Sequence, residues 1–374
     1  MGIIINEIKK ILNWKILLVL AFVNVSLYYF LIEFDIQYFP NGRPALDSYR
    51  IGVEMLENYG PEMNETELAD FKEKYKQEVQ KADQFLQSRQ DAQDVGVTSY
   101  EDFRNLGIDD QLADELHSKI MFEESVNLFW ELQERERLIE FHDMRDEIIQ
   151  NNPQQRRHLT KLMEIGHYDL YPEVVVMNYQ SIIRSIAIAV LISVVLLVSP
   201  LLLRDRSLRI LDLQYTAKLG RAIFKKKLVA GFISAFLVMS GLLAMYLGLY
   251  SQNHPEPFFD VPMNSFIGGE QWYDLTFFQY IILTVVAIYV LGFILVFMSL
   301  AVSHLVPNYI TLIGVQVPII FGLLVFGLRY LLDLITNLDL PQWLVPLCYS
   351  FFLVASIVFI MLLWKREKKT DIIL

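Results

Sequence analysis

Few residues in this chain could do chemistry, and most of them stand inside or beside long apolar runs. Arg329 and Asp333 are four apart near the end of one such run, a spacing at which helical side chains share a face and can pair. Gln316 and Pro318 lie earlier in the same run, and Asn24 with Ser26 in the first. A polar group in hydrocarbon is costly, so such residues glue helices together, mark a kink or line a conduit. His142 lies near Glu140, Asp143 and Asp146, which in so acidic a helix reads as a solvated face more than a metal site. His117, His158 and His167 read as surface or packing residues. No G-x-x-x-x-G-K-[ST], H-E-x-x-H or G-x-S-x-G run occurs, so the chain carries no Walker A loop, zincin pair or nucleophile elbow. It is expected to be neither an enzyme nor a metal or cofactor carrier by itself. Cys348 is the single cysteine, which rules out an internal disulfide and a cysteine metal cluster.

The elements that must position these residues are set by a blocky composition. Of 374 residues 54% are apolar, above the level of ordinary soluble domains. Residues 33–180 hold 32 Asp+Glu against 15 Lys+Arg, a charge of -17, and the rest hold 11 against 17, or +6; together they give the net -11. Crossing about 30 Å of hydrocarbon takes about 20 apolar residues in a helix. Six stretches qualify: 14–33, 181–203, 228–250, 276–303, 308–332 and 343–364. Backbone groups in lipid must be satisfied within the segment, so these are helices. The expected fold class is an all-α integral membrane protein with six transmembrane helices and an extracellular helical domain between the first two.

Orientation follows from Lys and Arg, which hold short loops in the cytoplasm. Lys9, Lys10 and Lys15 precede or open the first span; eight basic residues from Arg204 to Lys227 lie between the second and third; Lys365, Arg366, Lys368 and Lys369 follow the sixth. Loops 251–275 and 333–342 contain no Lys or Arg. Both termini are therefore expected in the cytoplasm of a multi-pass protein of the cell membrane, with 34–180 outside. Trp14, Trp272, Tyr273, Trp343 and Trp364 suit the interfacial belts. Residues 1–13 put Ile4, Ile8, Ile11 and Leu12 on one face, a pattern for a helix lying in the inner interface.

Within 34–180 the periodicity is helical throughout. Gly60-Pro61 stops a first helix, and Asn64 with Glu67 resembles a capping box. Leu68, Phe71, Tyr75, Val79, Ala82 and Leu86 then form a packing seam. Asp109 or Asp110 is expected to cap a longer helix carrying Leu112, Leu116, Ile120, Val126 and Phe129, ending by Asn151-Asn152-Pro153.

The basic segment 204–227 is the most informative. It reads Arg204-Asp205-Arg206-Ser207-Leu208-Arg209-Ile210-Leu211-Asp212-Leu213, then Tyr215-Thr216 and Gly220-Arg221, and Lys226-Lys227 opens the third span. This resembles the cytoplasmic loop of the permease subunits of type-2 ABC exporters, of the Gram-positive kind with a large extracellular domain after the first span. There an acidic-basic pair leaves the second span, a short amphipathic helix follows, and a Lys begins the next span. The chain departs from that pattern at the loop's start, where Arg204-Asp205 replaces Glu and the usual Pro is missing. The loop 333–342 is also shorter than the re-entrant helices common between the family's last two spans.

The resemblance implies that 208–219 is a coupling helix docking on a separate cytoplasmic ABC ATPase. Leu208, Leu211 and Tyr215 would fill its groove, and Arg204, Arg206 and Arg209 would pair with acids there or keep the loop inside. It further implies two ATPase copies carrying ATP and Mg, a second permease identical or homologous to this one, and contact with membrane lipid but not nucleic acid. Cargo would be amphipathic, peptide-like or lipid-like, as in antimicrobial peptide resistance. The alternative is a membrane sensor or assembly subunit whose outer domain binds a ligand or partner without transport.

Overall fold

The computed structural model describes residues 2–106, 111–144, 153–167, 170–207 and 222–369. Among these every regular element is helical, and the only strand-like pairings are two isolated bridges, Tyr171 with Phe266 and Pro262 with Thr276. Six helices are long and apolar enough to cross a membrane: Trp14–Gln37, Val174–Asp205, Ile223–Asn253, Phe277–Leu305, Tyr309–Gly327 and Leu344–Arg366. They are taken in that order as the first to sixth spans. The chain divides into two compact units, one of Met1–Gln37, Asn178–His254 and Gln279–Leu374, the other of Tyr38–Met177 with Pro255–Phe278.

In the first unit the second span is the axis of packing. Its most apolar stretch is 72% buried, against 17% for the first span and 11% for the fifth. Phe232 stacks on Phe293, 4.1 Å between ring centres, and so joins the third and fourth spans. Large apolar side chains such as Ile310, Phe321, Phe326 and Phe351 remain exposed on the fifth and sixth, as hydrocarbon or another helix permits. The fifth span holds Pro318 within its helix, and a proline there removes one backbone hydrogen bond. The chain beyond it widens into two π turns, Leu323–Gly327 and Arg329–Asp333.

The N-terminal helix, Gly2–Ile11, is separate from the first span. Asn13 breaks between them and caps the span, its Oδ1 accepting from the Lys15 and Ile16 N–H groups at 3.1 and 3.2 Å. Such a cap satisfies donors that the first turn would otherwise leave open. The helix packs along the third-span helix, with Ile11 buried.

The second unit has its own core. Asn64 caps Glu65–Gln87: its Oδ1 accepts from Glu67 N–H at 3.1 Å, and Glu67 Oε2 accepts from Asn64 N–H at 2.8 Å. That helix packs on Asn127–Met144, and Leu86, Phe103, Ile120, Phe129 and Leu132 are buried together. The single long helix expected across Leu112 to Phe129 is two. Gln111–Ser118 runs into a π turn, Lys119–Glu123, and Ser125 takes a positive φ of 48° before Asn127–Met144 begins. Arg89 reaches that break, bonding Glu124 at 2.6 Å as well as Asp91 at 2.7 Å. A partner 35 residues back in the chain therefore holds a bend that the local periodicity does not show. Asp109 and Asp110 lie outside the described residues.

The segment 255–278 belongs to this second unit. Tyr171 N–H donates to the Ser265 carbonyl at 2.8 Å and Ile267 N–H to the Tyr171 carbonyl at 3.0 Å. Phe258, Phe266 and Phe277 are buried. Gly268 sits at φ +68°, and a Cβ on Gly269 would lie 2.5 Å from the Met263 carbonyl oxygen and 2.9 Å from that of Phe266. Both obstacles are backbone and cannot swing aside. Gly269→Ala should lower stability by about 1–3 kcal/mol, the usual range for overpacking, and loosen 255–278 first. Gly314→Ala, where a Cβ meets nothing within 4 Å, is the matched control. Thermal melting with limited proteolysis would check both; equal melting of the two variants would contradict this packing.

Candidate functional site

Two levels of polar contact fasten the first three spans of the first unit, and a third joins the second span to the third. At the end away from the basic segment, the Asp35 carbonyl accepts from Asn178 Nδ2 and Asn253 Nδ2, each at 2.9 Å, and the Asp35 carboxylate accepts from Ser181 at 2.6 Å. Midway along, Asn24 Nδ2 donates to Ser193 Oγ and to the Leu20 carbonyl, both at 2.8 Å, and its Oδ1 accepts from Tyr246 OH at 3.0 Å. Asn24 thus satisfies its amide across three helices in a place where an open donor would be costly. An apolar groove of about 640 Å³ runs beside it between the first and third spans.

The third level lies at the root of the basic segment. Lys227 Nζ, whose residue is 1% exposed, bonds the carboxylate of Asp205, 8% exposed. Asp205 closes the second span and Lys227 opens the third, so the pair joins the two points where the chain leaves and re-enters. Around it, Leu203 N–H donates to Ser303 Oγ of the fourth span at 3.1 Å. Phe224 packs edge-on to His304, and Lys225 Nζ sits 3.9 Å over the Trp364 ring. Charges this deep persist only when paired, so the pair is a tether and not a surface accident.

The residues singled out for coupling are spread over this region. Arg204 is exposed beside the tether. Arg206 lies on the helix Pro200–Ser207, while Leu208, Arg209, Leu211 and Tyr215 lie outside the described residues. Of the intramembrane polar set, Gln316 is buried on the fifth span, and its Nε2 has no hydrogen-bond partner among the described residues. Asp333 forms an ion pair with Arg184 of the second span, at 2.5 Å. Arg329, one turn away, adds to the positive field on Asp333. The i,i+4 pairing that spacing allows is thus superseded by an arginine about 150 residues earlier. Spacing along one helix could not find it, although a lone Arg near the end of an apolar span does signal a missing acid.

In the second unit the bases are largely consumed by acids. Arg104 binds Glu136 and Glu140, Arg137 binds Glu134 and Glu173, Arg135 binds Glu54, and Lys72 binds Asp143. Other acids lie exposed at the surface, Glu57, Glu101 and Asp94 among them. Two histidines fasten segment 255–278: His158 Nε2 lies 2.8 Å from the Gln271 carbonyl, and His167 is flanked by Asp274 at 2.7 Å and Glu62 at 3.1 Å. Burial opposes protonation of His167, but the Asp274 and Glu62 carboxylates outweigh it and raise its pKa. A raised folded-state value stabilises the bridge fully below the ordinary histidine pKa of about 6.5, and that stability is lost as pH climbs through the raised value. Amides of 255–278 should therefore exchange faster at about pH 8.5 than at about pH 6 once intrinsic rates are removed, and His167→Gln should abolish the difference. A pH-independent pattern in the unsubstituted chain would contradict the bridge.

Comparison with protein-family models, curated proteins and solved structures finds no match for this chain.

Proposed function

We propose that the chain is the membrane-spanning permease subunit of an ATP-driven exporter of the type-2 ABC class. It works with a separate cytoplasmic ATPase, which carries ATP and Mg, and a second permease. The observation that carries this reading is the buried Asp205–Lys227 tether. It ties the second and third spans at the root of 208–221, so a force applied to that arm reaches both spans together. Rigid-body movement of helices by a push at one end is an established way of coupling two states. The second span is the most buried and is knotted to the first and third at two further levels, so the motion spreads through the bundle.

The orientation belongs to the same proposal: the basic ends lie in the cytoplasm and the second unit outside. An acidic outer surface raises the local concentration of cations, which favours cationic amphipathic peptides as cargo over neutral lipid. To test this, the chain is purified with its ATPase in lipid nanodiscs and hydrolysis is measured against a series of cationic amphipathic peptides. Stimulation that falls as salt rises is expected. Hydrolysis indifferent to every peptide would refute that cargo.

A further inference from the structure

A cavity of about 180 Å³ lies in the first unit between the N-terminal helix, the start of the first span and the basic end of the second. That equals the share of roughly six waters in the liquid. Its walls are of two kinds. Ile11, Ile16, Leu197, Pro200 and Leu201 are apolar, and Glu7, Lys10, Arg204 and Asp205 are charged.

The charges do not cancel. Glu7, 4% exposed, accepts from Lys10 Nζ at 2.7 Å, and Asp205 is held by Lys227. Both acids are therefore neutralised by ammonium groups. Arg204 is exposed, and its guanidinium has no hydrogen-bond or ion-pair partner among the described residues. Two acids against three bases leave the site with one positive charge, on a planar donor group shaped for bidentate binding of phosphate. The surroundings suit an interface: Trp14 is 70% exposed, Lys15 lies beside its ring, and Lys9 is exposed on the neighbouring helix.

We propose that this cavity binds the phosphate headgroup of an anionic phospholipid. Arg204 takes the phosphate, with the Lys10 ammonium, shared with Glu7, at the rim, and the Leu197–Leu201 and Ile11–Ile16 walls receive the upper part of an acyl chain. Basic pockets between spans near a membrane boundary bind such headgroups. The apolar walls separate this ligand from free phosphate, which would leave them empty. The single excess positive charge separates it from a zwitterionic lipid, whose cationic group would face Arg204. The site does not depend on any transport role.

The test uses the delipidated full chain in a neutral detergent. Phosphatidylglycerol, phosphatidylcholine and soluble glycerol phosphate are titrated in turn, and binding is read by native mass spectrometry. Phosphatidylglycerol should bind most tightly, and Arg204→Gln should weaken it about tenfold, the equivalent of one charge-assisted hydrogen bond. Lys9→Gln makes the same charge change outside the cavity and should leave affinity within about twofold. Equal loss in both variants would reduce the effect to general surface charge and overturn the site. Equal binding of phosphatidylcholine would overturn the anionic preference, and glycerol phosphate competing as strongly as the lipid would overturn the lipid assignment.

Discussion

Lys227→Met should destabilise the protein by about 3–5 kcal/mol, the cost of removing one member of a buried ion pair. The Asp205 carboxylate would keep its place, 8% exposed, without the ammonium that compensates its lost hydration. Asp205→Asn should cost less, because an amide can still accept from Lys227, though it removes the negative charge that Asp205 sets against the ammonium. The double variant Asp205→Leu with Lys227→Met should recover most of the stability, since apolar replacement of a whole buried pair is often neutral or better. Thermal melting of the parent, Lys227→Met, Asp205→Leu and the double variant completes a double-mutant cycle. Additive losses would show that the two side chains do not interact. The cycle also separates stability from coupling: a double variant that melts like the parent yet no longer links peptide binding to hydrolysis makes the tether a transmitting element. If it transports normally, the pair is structural only.

The second large effect concerns the arm. Leu211→Asp with Tyr215→Asp places two charges where the resemblance to type-2 ABC permeases puts the apolar side of a coupling helix. Burying an unpaired carboxylate in a protein groove is prohibitive, so co-purification of the ATPase should fall to background while the chain still inserts and melts normally. Leu211→Met with Tyr215→Phe, which keeps volume and apolarity, should retain the complex. A sensor or assembly subunit would be indifferent to both pairs of changes. Retention of the ATPase by the Asp variants would remove the arm from the interface and with it the transporter reading.

What could be read from the sequence follows from the range of the interactions involved. Six helices long and apolar enough to span are visible because apolar length is a local property, and the Asn64–Glu67 box is local in the same way. Two features of the second unit were hidden. Segment 255–278 looks like a loop between spans, yet its backbone pairs with Tyr171, it belongs to one compact unit with 38–177, and Phe258, Phe266 and Phe277 are buried. No periodicity within it announces a partner about 95 residues earlier. The two histidines that fasten it read as ordinary surface residues for the same reason, since Asp274 and Gln271 are distant in the chain. In the membrane unit, Arg329 with Asp333 was visible as a spacing, but the bond goes to Arg184. Asp205 and Lys227 were both visible as members of a basic segment. That they meet requires two adjacent antiparallel helix ends, which only the fold supplies.

A cytoplasmic coupling site requires residues 208–221 and the second unit to lie on opposite sides of the membrane. With Cys348 replaced by Ser, a single cysteine is placed at Glu57, exposed on the second unit, or at Lys218 in the arm. Each is then treated in intact cells with a membrane-impermeant maleimide. Labelling is expected at position 57 in intact cells and at position 218 only after permeabilisation. Labelling at 218 with protection at 57 would invert the protein in its membrane and leave no place for a cytoplasmic ATPase to grip the arm.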